Sequence, residues 1–174
     1  AHYADAIARM PAQKESYYAF LSLRLEELHT LIRRASAGEN VQEEFRRVFE
    51  ETLRYAEQAR TRFIHDAQAW RAQGALYELL IPFIDRAEEQ TFTSYDRAIA
   101  RDPQNPALFV EKGRAQLLFF NRLLFLSRDK QADERAALEQ RAGAVLADAH
   151  ETLSRATTLK PDFAAAHFLL AQTA

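Results

Sequence analysis

Apolar and polar positions recur at helical spacing over most of this chain. Residues 15–35 and 41–63 read as two long helices joined by the turn Ser36-Ala37-Gly38-Glu39-Asn40, and 107–127 and 133–160 as a second pair across Ser127-Arg128-Asp129-Lys130. A helix of 21 residues is about 30 Å long, so both pairs are expected to project well beyond a short hairpin. Pro82 marks a break and a short loop near residues 80–85. Acidic and basic residues sit beside one another at helical intervals, as in Glu43/Arg46/Arg47 and Glu50/Arg54, the pattern of a solvated face. The segment 117–126 departs from this, because eight of its ten residues are apolar and cover every side of a helix. Two outcomes fit it: burial between the two long helices and the preceding hairpin, or an exposed interface.

A second pattern overlies the first. Tyr3-Ala4-Asp5-Ala6-Ile7-Ala8-Arg9-Met10-Pro11 and Tyr95-Asp96-Arg97-Ala98-Ile99-Ala100-Arg101-Asp102-Pro103 agree at six of nine positions. A third copy, from Leu153 through Ala156 to Pro161, and a degraded fourth, from Ala56 through Ala59 to Ile64, complete the set. Six residues past each copy stands Tyr17, Trp70, Phe109 or His167, and four later Leu21, Gly74, Gly113 or Ala171. Proline ends a helix, because it lacks an N–H and restricts its predecessor. The aromatic fills the gap between hairpins. Glycine or alanine allows close helix approach, as do Ala6, Ala59, Ala98 and Ala156. Leu21 breaks the small-residue rule, so the first hairpin is expected to be shifted or splayed.

Trp70-Arg71-Ala72-Gln73-Gly74-Ala75-Leu76-Tyr77 resembles the tetratricopeptide repeat, with Trp, Gly and Tyr at matching spacings and Gln73 in place of leucine. The resemblance implies an all-α fold of antiparallel helical hairpins stacked as a right-handed solenoid, packed through Tyr17, Trp70, Gly74, Tyr77, Tyr95, Ala98, Pro103, Phe109, Gly113, Ala156 and Pro161. The copies end at 11, 64, 103 and 161, so the periods are 53, 39 and 58. Against about 34 for a plain repeat, this implies insertions of roughly 19, 5 and 24 residues. The chain is expected to be one domain with repeat segments of about 1–11, 12–64, 65–103, 104–161 and 162–174. It begins as though in mid-helix and ends without a cap, as an excised piece of a longer protein would.

Composition narrows the chemistry. Only 4 glycines and 5 prolines occur in 174 residues, which suits helices. A formal charge of −2 gives no general attraction to nucleic acid, and acidic residues interrupt the doublets Arg33-Arg34 and Arg46-Arg47. No cysteine is present, which removes disulfides, thiolate catalysis and Cys-ligated zinc. The serines lie in no nucleophile elbow, and the scattered glycines form no phosphate loop. Glu26 and His29 have the spacing of a di-iron ligand pair, but no second such pair occurs, and His2, His65, His150 and His167 lack partners at ligand spacing. Neither an enzyme nor a cofactor or metal site is expected.

The resemblance implies instead a binding scaffold for a protein or peptide. Its groove positions fall on Tyr18, Ser22, Arg71, Ala75, Glu78, Val110, Arg114, Leu117 and Phe168, unless these merely pack against a neighbouring hairpin. With Arg71 and Arg114 among them, an apolar helix or extended peptide carrying an acidic group is the expected ligand. Two alternatives stand beside this. Stretched repeats and Arg101-Asp102-Pro103-Gln104-Asn105-Pro106-Ala107-Leu108-Phe109 also resemble the soluble region of large bacterial multi-pass proteins similar to O-antigen ligases and polymerases. That resemblance implies an extracytoplasmic accessory domain, touching a membrane only through other parts of its parent; the scaffold reading leaves the cytoplasm open. The other alternative is a self-assembly element, with Phe168, Leu169 and Leu170 on a bare final face.

Overall fold

A computed structural model describes residues 2–9 and 12–174, with side chains for 5–7, 9 and 12–174. Pro11 and the side chains of His2 and Tyr3 therefore lie outside the described residues. The fold is all-α. Its helices are α1 (His2–Arg9), α2 (Lys14–Ser36), α3 (Gln42–Arg62), α4 (Ala67–Glu78), α5 (Ala87–Arg101), α6 (Pro106–Ser127), α7 (Ala132–Leu159) and α8 (Ala164–Leu170), followed by a 3-10 turn, Ala171–Thr173. Among the described residues no helix is long and apolar enough to cross a membrane. The two long pairs and their turns fall where the hydrophobic pattern puts them, and Gly38 supplies the positive φ of 90° that the first turn requires.

Four of the turns share one backbone geometry. α2, α4, α6 and α8 are each preceded by an extended residue, Gln13, Asp66, Asn105 and Phe163, with φ between −91° and −79° and ψ between 90° and 123°. At three of these turns the same hydrogen bond recurs: Asp66 N–H to Phe63 O, Asn105 N–H to Asp102 O and Phe163 N–H to Lys160 O, at 2.8, 3.2 and 3.1 Å. The aromatic position repeats its chemistry too. Trp70 Nε1 donates to Ile64 O at 2.9 Å, and His167 Nε2 lies 2.7 Å from Pro161 O, six residues back in each case. Sequence adds local caps. Asp66 and Asn105 accept from the N–H groups of Gln68 and Ala107, and Pro106 opens α6, where a missing N–H costs nothing.

Backbones approach only between neighbours and next-neighbours in the chain, among the described residues. Each helix meets the next, and α2, α4, α6 and α8 also meet one another in turn, whereas α3, α5 and α7 do not. Within pairs, small residues set the spacing. A Cβ on Gly74 would lie 3.1 Å from the ring of the buried Tyr95, and one on Gly113 only 2.5 Å from Leu153 Cγ. Ala142, Ala149 and Ala156, seven residues apart, form a buried stripe that seats α7 along α6. Between α2 and α3 larger side chains fill the contact: Tyr17, Phe20 and Leu21 are buried, and the tilted Phe20 and Tyr55 rings lie 4.5 Å apart.

The segment 117–126 lies mostly in the core: Leu117, Phe119 and Leu123 are buried and Leu118, Phe120 and Leu124 half-buried, while only Phe125 and Leu126 among its apolar residues face solvent. Helical winding explains the division, because α6 touches α5, α7 and α8 and turns Phe125 and Leu126 away from them.

Two outcomes are expected. Gly113→Ala drives a methyl into the buried Leu153 and costs about 1–3 kcal/mol in urea unfolding, whereas Gly143→Ala, with open space around it, gains up to about 1 kcal/mol. Asp66 also binds Lys14 Nζ at 2.8 Å. Burial pushes its carboxyl up, but Lys14 and the Gln68 N–H outweigh this and hold it below the ordinary range. A carboxyl depressed in the folded state stabilises at pH above its unfolded value and loses that contribution as pH falls through the folded one. Asp66→Ala should cost about 1 kcal/mol at pH 7, with the gap to wild type narrowing below about pH 4.

Candidate functional site

The face shared by α2, α4 and α6 carries a cleft of about 430 Å³, lined by Leu25, His29 and Ile32 of α2, Ala75, Glu78 and Leu79 from α4 and its end, Pro82 and Phe83 of the following loop, and Arg114 and Leu118 of α6. It opens because α2 outruns the shorter α4: the turns of α2 beyond Leu25 have no α4 beside them, and the loop after Glu78 fills only part of the gap. A narrower cleft of about 80 Å³ lies between α2 and α4, lined by Tyr18, Leu21, Ser22, Gln68, Arg71 and Ala72. Leu25 and Ala75 line both, so the two form one channel.

The channel floor is charged but internally matched. Arg114 forks onto Glu78, Nε to Oε1 at 2.8 Å and Nη2 to Oε2 at 3.0 Å. Tyr95 of α5 donates its hydroxyl to Glu78 Oε2 at 2.7 Å. Burial, then the Glu78 charge, pushes the Tyr95 hydroxyl well up, so it stays a donor. One turn earlier on α6, Glu111 takes Arg71 at Nε and Nη2, the shortest contact being 2.6 Å, and Gln68 accepts from Arg71 Nη1 at 3.1 Å. Hydrogen bonding to Glu111 and to Glu78 raises the pKa of Arg71 and Arg114 further, so both remain cations with a fixed counter-charge. These two bridges tie α4 to α6. No family model matches the chain, and neither does any curated protein.

Of the groove positions expected from sequence, Tyr18, Ser22, Arg71, Ala75, Glu78 and Arg114 come together along this channel. Three do not. Val110 is buried with Ala156 and Ala166, against Phe109, Phe163 and Leu169, and Leu117 is buried with Ala149 and Leu153. Both face α7 and α8 instead of the channel, because α6 turns that side towards its hairpin partner. Phe168 is 70 % exposed on α8, away from both clefts. Glu111 and Glu78 already pair with the guanidinium groups of Arg71 and Arg114.

Sequence reasoning passed over Leu25, His29 and Ile32, which continue the stripe of Tyr18 and Ser22 at helical intervals along the elongated α2. Extending that period would have found them. Phe83 carried no signal, because its place depends on how the loop folds. There, Arg122 donates to the carbonyls of Ile81 and Ile84 and to Asp85, and Arg86 takes a positive φ of 67°. The clamp leaves Phe83 66 % exposed at the cleft edge. Among the described residues no group of three potential ligands could hold a metal ion, and Glu26 and His29 gain no third.

Replacing Tyr95 by Phe should cost about 1.5–3 kcal/mol in urea unfolding, the value of a hydrogen bond to a charged group. Arg114→Met should cost about 2 kcal/mol by stranding Glu78. The double variant should lose less than the sum if Glu78 is their shared acceptor.

Proposed function

We propose that this chain is a non-catalytic interaction scaffold, built as a tetratricopeptide-like stack, and that it takes an apolar helix or extended segment of a partner protein along the α2/α4/α6 channel. The observation that carries this is the channel itself: three successive first helices share a concave, largely apolar lining, with a loop clamped so that a large aromatic stays exposed at its edge. The recurrent turn geometry and the chain of contacts along α2, α4, α6 and α8 support the repeat reading. Because the floor charges are paired, affinity comes mainly from apolar side chains entering between Leu25, Ile32, Leu79 and Leu118, with hydrogen bonds to His29 and Ser22 fixing register.

The test uses an exposed residue, so that folding is preserved. A photo-crosslinking amino acid at Ser22 is introduced into wild type and into Phe83→Asp, and adducts are compared by mass spectrometry. An adduct formed by wild type and reduced about tenfold or more by Phe83→Asp is the expected result, with Phe125→Ser unaffected; loss of one buried aromatic anchor has this size. Equal adducts from wild type and Phe83→Asp would remove the channel from consideration.

A further inference from the structure

A second surface lies on the side of α4 that faces α3 and α5. Trp70, the chain's only tryptophan, is fixed through its Nε1 and ringed by three guanidinium groups: Arg101 at 4.9 Å, Arg60 at 5.4 Å and Arg97 at 6.0 Å from the ring centroid. Arg24, Arg34, Arg46, Arg71, Arg86, Arg114, Arg122 and Arg141 each meet a carboxylate. These three, like Arg33, Arg47, Arg54, Arg128, Arg135 and Arg155, meet none within ion-pair distance among the described residues; what sets them apart is that they converge on one ring. Arg101 spends Nε on Ile64 O and Nη1 on Arg97 O, and Arg60 Nε is buried with no hydrogen-bond partner. Arg97 is exposed.

The helix dipole explains part of this. Arg60 and Arg101 stand in the last turns of α3 and α5, where cations are favoured. Two helix C-termini supply about half an elementary charge each, which offsets only about one of the three cations. Cation–π attraction holds each guanidinium near the ring but adds no negative charge. Of the nearby carboxylates Asp66 pairs with Lys14 and Asp96 with Lys112, which leaves Asp102 beside Arg101, so a residual positive charge sits on a rigid aromatic platform, with N–H groups of Arg97 and Arg101 left to donate.

We infer that Arg60, Arg97 and Arg101 around Trp70 form a docking site for a short acidic segment of a partner protein, independent of the channel. Carboxylates match the planar guanidinium fork, and a short run suffices to reach it. A nucleic-acid backbone fits less well. Asp66 and Asp102 share a hollow with Arg101, Asp96 precedes Arg97, and the chain as a whole carries −2, so an extended run of phosphates meets like charge on leaving the cluster.

The probe is an acetylated, amidated hexaglutamate peptide, titrated into the 174-residue chain at low ionic strength. Calorimetry reads binding and Trp70 emission reads its location. Saturable heat with a coincident change in emission is expected, weakened about tenfold or more by Arg97→Glu, whose exposed position spares the fold, and weakened likewise by added salt. Phe83→Asp should bind the probe as wild type does. No saturable heat, an affinity unchanged by Arg97→Glu, or loss of binding in Phe83→Asp would overturn the inference, and so would binding of inorganic tripolyphosphate without binding of hexaglutamate.

Discussion

Tyr95 seated against Gly74 is the contact on which the middle of this fold depends. The ring lies where a side chain on residue 74 would be, so α4 and α5 close tightly. That closeness brings the phenolic hydroxyl to Glu78, and Glu78 in turn holds Arg114 of the next hairpin. One steric permission therefore propagates from the spacing within a hairpin to the bridge between hairpins. Gly113 and Leu153 repeat the steric half of the arrangement in the following pair. There the alanine stripe of α7 extends the close approach, and no buried tyrosine–carboxylate link is needed.

The channel follows from unequal helix lengths laid on that spacing. α2 and α6, with 23 and 22 residues, flank α4, which has only 12. The loop that replaces the missing turns of α4 is held by Arg122, a side chain from the helix on its far side. A short helix between long ones leaves a gap, and the clamp decides that the gap is rimmed by an aromatic instead of being closed over. The two carboxylate–arginine bridges lie on its floor, so the polar groups needed to join α4 to α6 leave an apolar wall above them.

Charge is distributed with the same logic. Several arginines, among them Arg34, Arg86 and Arg122, find a carboxylate on a neighbouring turn or segment. Around Trp70 three do not, and the anchored indole takes the place of a counter-ion without supplying a charge. In the channel Arg71 and Arg114 are paired with carboxylates, while the cations at Trp70 stand where α4 meets α3 and α5.

The sequence by itself determined the helices, their pairing and the turns between them, because these rest on local rules: apolar period, capping residues, proline after a helix end and glycine where φ is positive. The resemblance to the tetratricopeptide repeat, carried across through the repeat alignment, also put Tyr18, Ser22, Arg71, Ala75, Glu78 and Arg114 on one groove, and these six line the channel. It could not separate Val110 and Leu117 from that set. Their burial depends on how α6 is rotated against α7 and α8, a matter of packing between residues some forty positions apart. Nor could it reveal that Arg71 and Arg114 are neutralised, because Glu111 and Glu78 reach them only when α4 and α6 lie side by side. Phe83 owes its exposure to a clamp from Arg122, and the cluster at Trp70 assembles residues from three helices. Only the tertiary structure decided these features, since each depends on the distance between side chains remote in sequence, which no local pattern encodes.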